Sequence, residues 1–201
     1  MKRVWPIAVL ALFLPMVAAL AVALIFAASF QEAPSEAADL CAETSSPSAA
    51  RCPAVSAQGW TVPALGHVGS GFRTPDRPGH AGVDIIVPRY TVIRAASAGI
   101  VVTSLCNASS GNCDVDGSPA VKGCGWYVEI AHTTGLTTRY CHMVERPAVV
   151  VGQSVETGQP LGEVGSSGNS SGPHLHFETR LNGDAVNPIP FMAAHGAPLG
   201  Q

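Results

Sequence analysis

Two short histidine-containing motifs, far apart in the chain, constrain the fold more than any other feature of the sequence. GHAGVD contains His80 and Asp84, and GPHLHFE contains His174 and His176. Imidazole nitrogens and carboxylate oxygens are the ligands that zinc takes in catalytic sites, where about three protein ligands leave one position open. The four side chains therefore make a candidate metal-ligand set, which only a fold that brings the two segments together can assemble.

The spacing within each motif indicates its local backbone. His174 and His176 are two residues apart, so on a strand both imidazoles point to one face while Leu175 points to the other. The alternation continues into FETR, which supports a strand. Pro78 and the neighbouring glycines argue against a helix in the first motif and favour a turn that enters the strand VDIIV. A lone histidine is ordinarily a surface or core residue without a metal, but this paired arrangement favours a metal site.

Composition and charge limit the class of protein. The 21 glycines and 16 prolines among 201 residues suit a turn-rich β protein better than a helical bundle. Charged residues make up only 12% of the chain, and its formal net charge is −3. This balance lacks the basic footprint of a nucleic-acid-binding protein, so we expect no nucleic acid partner.

Beyond residue 59 the pattern predicts a series of short strands separated by Gly, Asn, Ser and Pro clusters. The predicted strands are GIVVTSL, WYVEIAH, LTTRYCHM, VVVGQSV, QPLGEVG and HLHFETRL. Residues 132–135 predict a hairpin turn between the second and third of these. No segment between 59 and 187 has a sustained helical period. The sequence therefore predicts a mostly β fold, with a single antiparallel β-sheet domain and an open cleft.

Residues 1–30 have a different character. Lys2 and Arg3 precede an uncharged apolar run from Val4 to about Phe30, longer than the core of about 7–15 residues in a signal peptide. The length favours an uncleaved transmembrane anchor with the rest of the chain outside the cell membrane; a cleaved signal and a secreted protein remain the alternative. We divide the chain into this segment, a linker at 31–58, a domain at 59–191 and a tail at 192–201.

All six cysteines follow the apolar run. An even number of cysteines outside the cytoplasm predicts disulfide bonds, although the sequence does not choose among the pairings. Cys41 with Cys52 is the simplest local pair. The other four cluster around an insertion at 104–125 that is typical of a stapled surface loop: Cys106, Cys113, Cys124 and Cys141.

The order of these motifs resembles that of the lysostaphin/LytM-like zinc metallopeptidases, which cut peptidoglycan peptides. The matching stretches fall within about residues 59–191 and are GSGFRTPDRPGHAGVDI, GWYVEIAHTTGLTTRYCHM, VGQSVETGQPLGEVGSSGNSSGPHLHFE and RLNGDAVNPIPF. The resemblance implies that zinc is the cofactor, that His80, Asp84 and His176 are its ligands, and that His142 and His174 are a non-ligating catalytic pair. Two features depart from the family pattern: Cys141, between Tyr140 and His142, and the cysteine-bearing insertion.

The function that the resemblance implies is that of a zinc-dependent endopeptidase, which hydrolyses peptide bonds in peptidoglycan stems or cross-bridges. Its implied partners are a peptidoglycan peptide as substrate and, through the N-terminal segment, a membrane. The alternative is a catalytically silent module that binds the wall or activates another hydrolase. We expect such a module to lack at least one residue of the site, whereas this chain retains all five.

The remaining polar residues near the motifs receive lesser roles. Arg73, in GFR, is a candidate contact for a substrate carboxylate. Several asparagines and serines suit turn geometry better than a binding role; these are Asn182, Asn187, Ser166, Ser167 and Ser171. Three histidines without a partner motif are expected to be structural or surface residues: His67, His132 and His195.

Overall fold

The structure is a computed structural model, and it describes residues 52–133 and 135–200. The predicted anchor at 1–30, most of the predicted linker and Cys41 lie outside these ranges. No helix within the described ranges is long and apolar enough to cross a membrane.

The described part of the chain contains ten strands and one short helix. The strands are β1 (His67–Ser70), β2 (Val83–Ile86), β3 (Val92–Arg94), β4 (Gly99–Asn107), β5 (Gly125–Ala131), β6 (Leu136–Met143), β7 (Ser154–Val155), β8 (Pro160–Glu163), β9 (Leu175–Leu181) and β10 (Asp184–Val186); the helix is α1 (Pro188–Ala194). Eight strands form one antiparallel sheet in the order β1-β2-β9-β6-β5-β4-β7, with β10 beside β9. β3 and β8 form a separate two-stranded sheet. The prediction of a mostly β, antiparallel fold is confirmed.

One predicted strand is largely wrong. Of the segment VVVGQSV, only β7 is extended and paired. Val150 and Val151 are 60% and 61% exposed, and Gly152 turns the chain with φ 88°. Apolar β-branched residues alone therefore misled the prediction, because these valines lack buried neighbours to pack against. The other predicted strands are present, and the hairpin at 132–135 joins β5 to β6.

The core lies on one face of the central strands. Strands β2, β5, β6 and β9 each contribute large side chains that are at most 1% exposed. These are Ile85, Ile130, Tyr140, Leu175 and Phe177. On β9 the alternation places Leu175 and Phe177 in the core. The intervening residues of the strand therefore face the other side of the sheet, as the sequence pattern predicts.

Strand register brings the two histidine motifs together. Asp84 on β2 and His176 on β9 are direct partners, and Cys141 on β6 is the partner of His176 on the other side. Directly opposed residues of an antiparallel pair project from the same face. The end of β6 then departs from regular extension, because His142 has a φ of 65°.

Two disulfides stabilise the insertion at 104–125, and one of them fixes it to the rest of the domain. Cys106–Cys113 closes a short loop inside the insertion, whereas Cys124–Cys141 joins its end to β6. The stapled loop is thus confirmed in its local part, but its second bond fastens it to the sheet rather than to itself. There is no free cysteine among the described residues. The predicted pairing of Cys52 with Cys41 involves a residue outside the described ranges.

Backbone contacts hold the insertion against the loop that precedes β9. The amides of Gly117 and Ser118 donate to the carbonyls of Ser166 and Gly168, at 2.8 and 3.1 Å. The backbones approach so closely that a Cβ at Gly117 would collide with the carbonyl of Gly168. Only glycine therefore fits at this contact, and the insertion lies directly beside the segment that leads into the second motif.

Candidate metal centre

Three predicted ligands converge on one point. Nε2 of His80 lies 2.9 Å from Oδ1 of Asp84 and 3.0 Å from Nδ1 of His176. Nδ1 of His176 in turn lies 2.9 Å from the same Oδ1. The three residues form a group whose ligand atoms are close enough to share a metal ion. β2 and β9 supply Asp84 and His176 from paired positions, and the turn before β2 supplies His80.

Each of these side chains is oriented by a partner at its other polar atom. Nδ1 of His80 donates to the carbonyl of Gly71 at 2.7 Å, and Nε2 of His176 donates to Oε1 of Glu178 at 3.2 Å. Nη1 of Arg77 donates to Oδ2 of Asp84 at 2.8 Å. Partners of this kind fix the tautomer and direction of metal-binding side chains.

The donor set fits a cation. With Nδ1 of His80 and Nε2 of His176 protonated toward their partners, the lone pairs of His80 Nε2, His176 Nδ1 and Asp84 Oδ1 face one another. Three acceptors at such distances repel unless a proton or a metal ion lies between them. Two imidazoles and one carboxylate with an open fourth position are a ligand set that catalytic zinc takes.

Two further histidines border this group. The ring of His142 lies 4.7 Å from that of His174 and 5.9 Å from that of His176, measured between centroids. Nδ1 of His142 donates to the carbonyl of Ser167 at 2.7 Å, and Nδ1 of His174 donates to the carbonyl of Gly172 at 2.8 Å. Each imidazole therefore keeps Nε2 as a proton acceptor, and that of His174 lies 3.5 Å from Oδ1 of Asp84.

The electrostatic environment keeps the carboxylates ionised and His142 neutral. Burial acts to raise the pKa of Asp84, but the imidazoles of His174, His176 and His80 that surround its carboxylate outweigh burial and hold that pKa well below its usual range. Burial likewise opposes ionisation of Glu178, whose pKa is nevertheless lowered to about 2, chiefly by its hydrogen bond with His176. Burial, aided by the neighbouring histidines, lowers the pKa of His142 to about 3.

The centre opens into a cleft of about 870 Å³. All five predicted site residues line it. The insertion contributes a second wall, since Asn107, Pro119, Gly123 and Cys124 also line the cleft. The open cleft and the five side chains that the sequence singled out thus coincide in space.

The lesser predictions have mixed outcomes. Arg73 does not line the cleft, and its guanidinium instead lies 4.8 Å from the ring centroid of Phe72. Ser171 lines the cleft, whereas Ser166 and Ser167 are buried and are not part of its lining. The remaining assignments hold: Asn187 caps α1, Asn182 turns the chain between β9 and β10 with φ 53°, His132 and His195 pack against Trp60, and His67 is exposed.

Sequence reasoning missed two residues of the site, Arg77 and Glu178. Glu178 carried a usable signal, because in HLHFE it is two residues beyond His176 and therefore on the same strand face. Arg77 carried none, since its contact with Asp84 depends on how the turn before β2 folds back. Both residues line the cleft.

Comparison with known proteins agrees with this geometry. Residues 78–188 match the family model described as Peptidase family M23. The peptidoglycan DD-endopeptidase ShyC of Vibrio cholerae is 37% identical over 109 residues, which cover 54% of this chain and 22% of that protein. This chain thus spans less than a quarter of the length of that curated relative.

Two solved structures share the fold. Lysostaphin from Staphylococcus simulans, an antimicrobial peptidase, is 25% identical with a TM-score of 0.57, and the match covers 70% of this chain and 55% of that one. A zinc containing peptidase from Vibrio cholerae is 25% identical with a TM-score of 0.51, covering 67% of this chain and 39% of that one.

The matched range contains both histidine motifs, His142 and the strands that position them. It also spans more than half of the 201 residues. The resemblance noted in the sequence is confirmed, and the chain belongs to peptidase family M23.

Proposed function

We propose that this protein is a zinc-dependent endopeptidase that hydrolyses peptide bonds in peptidoglycan stems or cross-bridges. The observation that carries the proposal is the convergence of His80 Nε2, Asp84 Oδ1 and His176 Nδ1 within 3.0 Å of one another on the floor of an open cleft. We infer the substrate class from the family match and from the similarity to the peptidoglycan DD-endopeptidase ShyC.

In this proposal His80, Asp84 and His176 hold the zinc ion. A zinc ion in such a site polarises a carbonyl as a Lewis acid and lowers the pKa of a water that it binds. Gly71, Glu178 and Arg77 keep the three ligand atoms turned toward a common point, so that little reorganisation is needed when the ion enters.

His142 and His174 act on the protons of the reaction. Both rings donate from Nδ1 to backbone carbonyls, which leaves each Nε2 free to orient the attacking water and accept its proton. A lowered pKa keeps His142 neutral at neutral pH, so that its Nε2 can accept a hydrogen bond from the attacking water. Once protonated, either imidazole can stabilise the developing oxyanion by donating a hydrogen bond from Nε2.

The proposal places the domain at 59–191 outside the cytoplasm, joined through the 31–58 linker to a membrane anchor at 1–30. The disulfides Cys106–Cys113 and Cys124–Cys141 support this location, because thiols stay reduced in the cytoplasm. The apolar run after Lys2 and Arg3 supports the anchor.

Digestion of purified peptidoglycan tests the reaction. The full chain, purified in detergent and loaded with zinc, should release new free amino groups and no new reducing sugar ends. A chelator should abolish the release and added zinc should restore it. His67→Ala, which replaces an exposed histidine, serves as the matched control and should leave activity unchanged.

Two contrary outcomes would each indicate a different function. Reducing ends without new amines would mean that a glycan bond is cut. Tight binding of the wall by folded, zinc-loaded protein without either product would mean a silent binding module, and the peptidase proposal would be withdrawn.

A further inference from the structure

The arginines around the cleft differ in how many of their N–H groups are already used. Arg139 donates from Nε to Glu129 and from Nη1 to Glu178, and its Nη2 lies 2.6 Å from Glu129. Arg180 contacts Glu178 through Nη1 and the carbonyl of Gly183 through Nε and Nη2. Every nitrogen of these two guanidiniums therefore already contacts a partner within the protein.

Arg77 is different. Its Nη1 donates both to Oδ2 of Asp84 at 2.8 Å and to Oγ of Ser70 at 2.6 Å, which uses both hydrogens of that nitrogen. No described residue accepts a hydrogen bond from its Nε or Nη2. The side chain lines the cleft and is 47% exposed, so it combines an edge without a described partner with access to solvent.

The backbone that carries this guanidinium is itself held in a turn. The amide of Arg77 donates to the carbonyl of Thr74 at 2.9 Å, and the amide of His80 donates to the carbonyl of Arg77 at 3.0 Å. The turn that supplies His80 to the centre therefore also fixes the direction of Arg77. Two contacts at Nη1 and a closed turn leave a preorganised pair of N–H groups on the Nε–Nη2 edge.

We propose that this edge of Arg77 binds a carboxylate of the substrate, so that the cleft selects peptides with a free carboxylate beside the scissile bond. The Nε–Nη2 edge of a guanidinium presents two parallel N–H groups that match a carboxylate. Because Nη1 contacts the carboxylate of Asp84, the bound group would lie roughly one or two extended residues from the metal position. The inference rests on the proposed function for the identity of the substrate as a wall peptide.

Binding of two matched peptides tests this inference. Once the cleaved bond has been located by mass spectrometry, two synthetic stem peptides are prepared that differ only in the nearest carboxyl group. One carries it free and the other carries it as a carboxamide. Affinities are measured with the zinc-loaded full chain carrying His174→Ala, which keeps the peptides intact, and turnover is measured with the wild type.

We expect the free acid to bind about tenfold more tightly than the amide, which equals about 1.4 kcal/mol at 25 °C. In the same background Arg77→Gln should remove this preference, and Arg77→Lys should reduce it because lysine keeps a charge but no fork. Arg73→Gln, at a nearby arginine outside the cleft lining, should keep the tenfold preference. Zinc content is measured for each variant, because Arg77 also contacts a predicted ligand.

Three results would overturn the inference. The first is equal affinity of the parent protein for both peptides, and the second is a tenfold preference that persists in Arg77→Gln. The third is an equal loss of affinity for both peptides in Arg77→Gln, which would mean that Arg77 acts only through Asp84. If Arg77→Gln loses zinc, the comparison is decided by Arg77→Lys, in which an undiminished preference would reject the proposal. Selective binding without turnover would reject the proposed peptidase activity and leave the carboxylate site standing.

Discussion

His176 and Glu178 lie two residues apart on β9, and the carboxylate of Glu178 accepts a hydrogen bond from Nε2 of His176 at 3.2 Å. The bond fixes the imidazole so that Nδ1 points toward Asp84. Glu178 is itself 3% exposed and held by Arg139 and Arg180. The ligand atom of one histidine thus depends on a carboxylate that is buried and ionised.

We predict that Glu178→Gln lowers zinc affinity by about 10- to 100-fold, the usual effect of removing a partner behind a metal-binding histidine. Competition with a chromophoric zinc chelator gives the affinity. Glu129→Gln is the matched control, because Glu129 shares Arg139 with Glu178 but has no contact with His176. Equal affinities in wild type and Glu178→Gln would show that the carboxylate does not support the metal.

Substitution of the predicted ligand histidine and of the predicted catalytic histidines should have different effects on zinc content. His176→Ala should lose the ion, because two remaining protein ligands hold zinc poorly. His174→Ala and His142→Ala should retain about one zinc per chain and lose most of their turnover. Nδ1 of each of these histidines bonds to a backbone carbonyl, and neither residue is a predicted zinc ligand. Zinc content is measured by elemental analysis beside amine release. Equal zinc loss in His176→Ala and His174→Ala would contradict the division.

The neutral state of His142 should appear in the pH dependence of stability. Its folded pKa is lowered to about 3, mainly by burial, from a reference value of 6.5. Between these values the unfolded chain binds a proton that the folded chain does not, so the free energy of unfolding falls as the pH falls through this window. The slope from this one group approaches about 1.4 kcal/mol per pH unit.

Urea unfolding of metal-free protein between pH 7 and pH 4 measures this slope. This pH range covers most of the interval between the reference pKa of 6.5 and the folded pKa of about 3. His142→Asn removes the titrating group and should give a shallower pH dependence; asparagine tolerates the φ of 65° at this position. His67→Asn, at an exposed histidine, should keep the wild-type slope. Parallel curves for wild type and His142→Asn would refute the assignment.

The two disulfides should differ in their effect on turnover. His142 holds a left-handed φ that a residue other than glycine keeps only when its surroundings impose it. Its amide donates to the carbonyl of Cys124 at 2.9 Å, and Cys124 is bonded to the preceding residue, Cys141. The double variant Cys124→Ala/Cys141→Ala should therefore lower turnover by about 10- to 100-fold through misplacement of this imidazole, with zinc content unchanged.

Cys106→Ala/Cys113→Ala provides the comparison, since this bond closes a loop within the insertion. We expect it to lower the melting temperature with a much smaller effect on turnover. Similar losses of turnover in both double variants, measured below both melting temperatures, would mean that the insertion acts as one unit rather than through His142.

The sequence predicted the strands where side-chain alternation coincides with burial. The period of two placed His176 on β9 and His174, the residue just before this strand, on one face, and the glycine-rich turn before β2 is found as predicted. It did not predict the register that pairs Asp84 with His176, because register depends on packing between strands that are distant in the chain. The resemblance to the family supplied that proximity instead.

The pairing of Cys124 with Cys141 could be predicted in part from the sequence. A hairpin at 132–135 places the residues just before β5 opposite the end of β6, and this is where Cys124 and Cys141 meet. Arg77 could not be recognised in the same way. It and Arg73 both precede His80 in one turn, and only the three-dimensional path of that turn directs one guanidinium to Asp84 and the other onto Phe72.

The disulfide between Cys124 and Cys141 makes the structure of the site depend on the redox state of the compartment that contains the protein. A chain still in a reducing compartment keeps both thiols, and the wall of the cleft is then tied to β6 by weaker backbone contacts alone. In the proposed location outside the cytoplasm, oxidation completes the tether next to His142. Export would then itself trigger the last step that fixes this imidazole in the site.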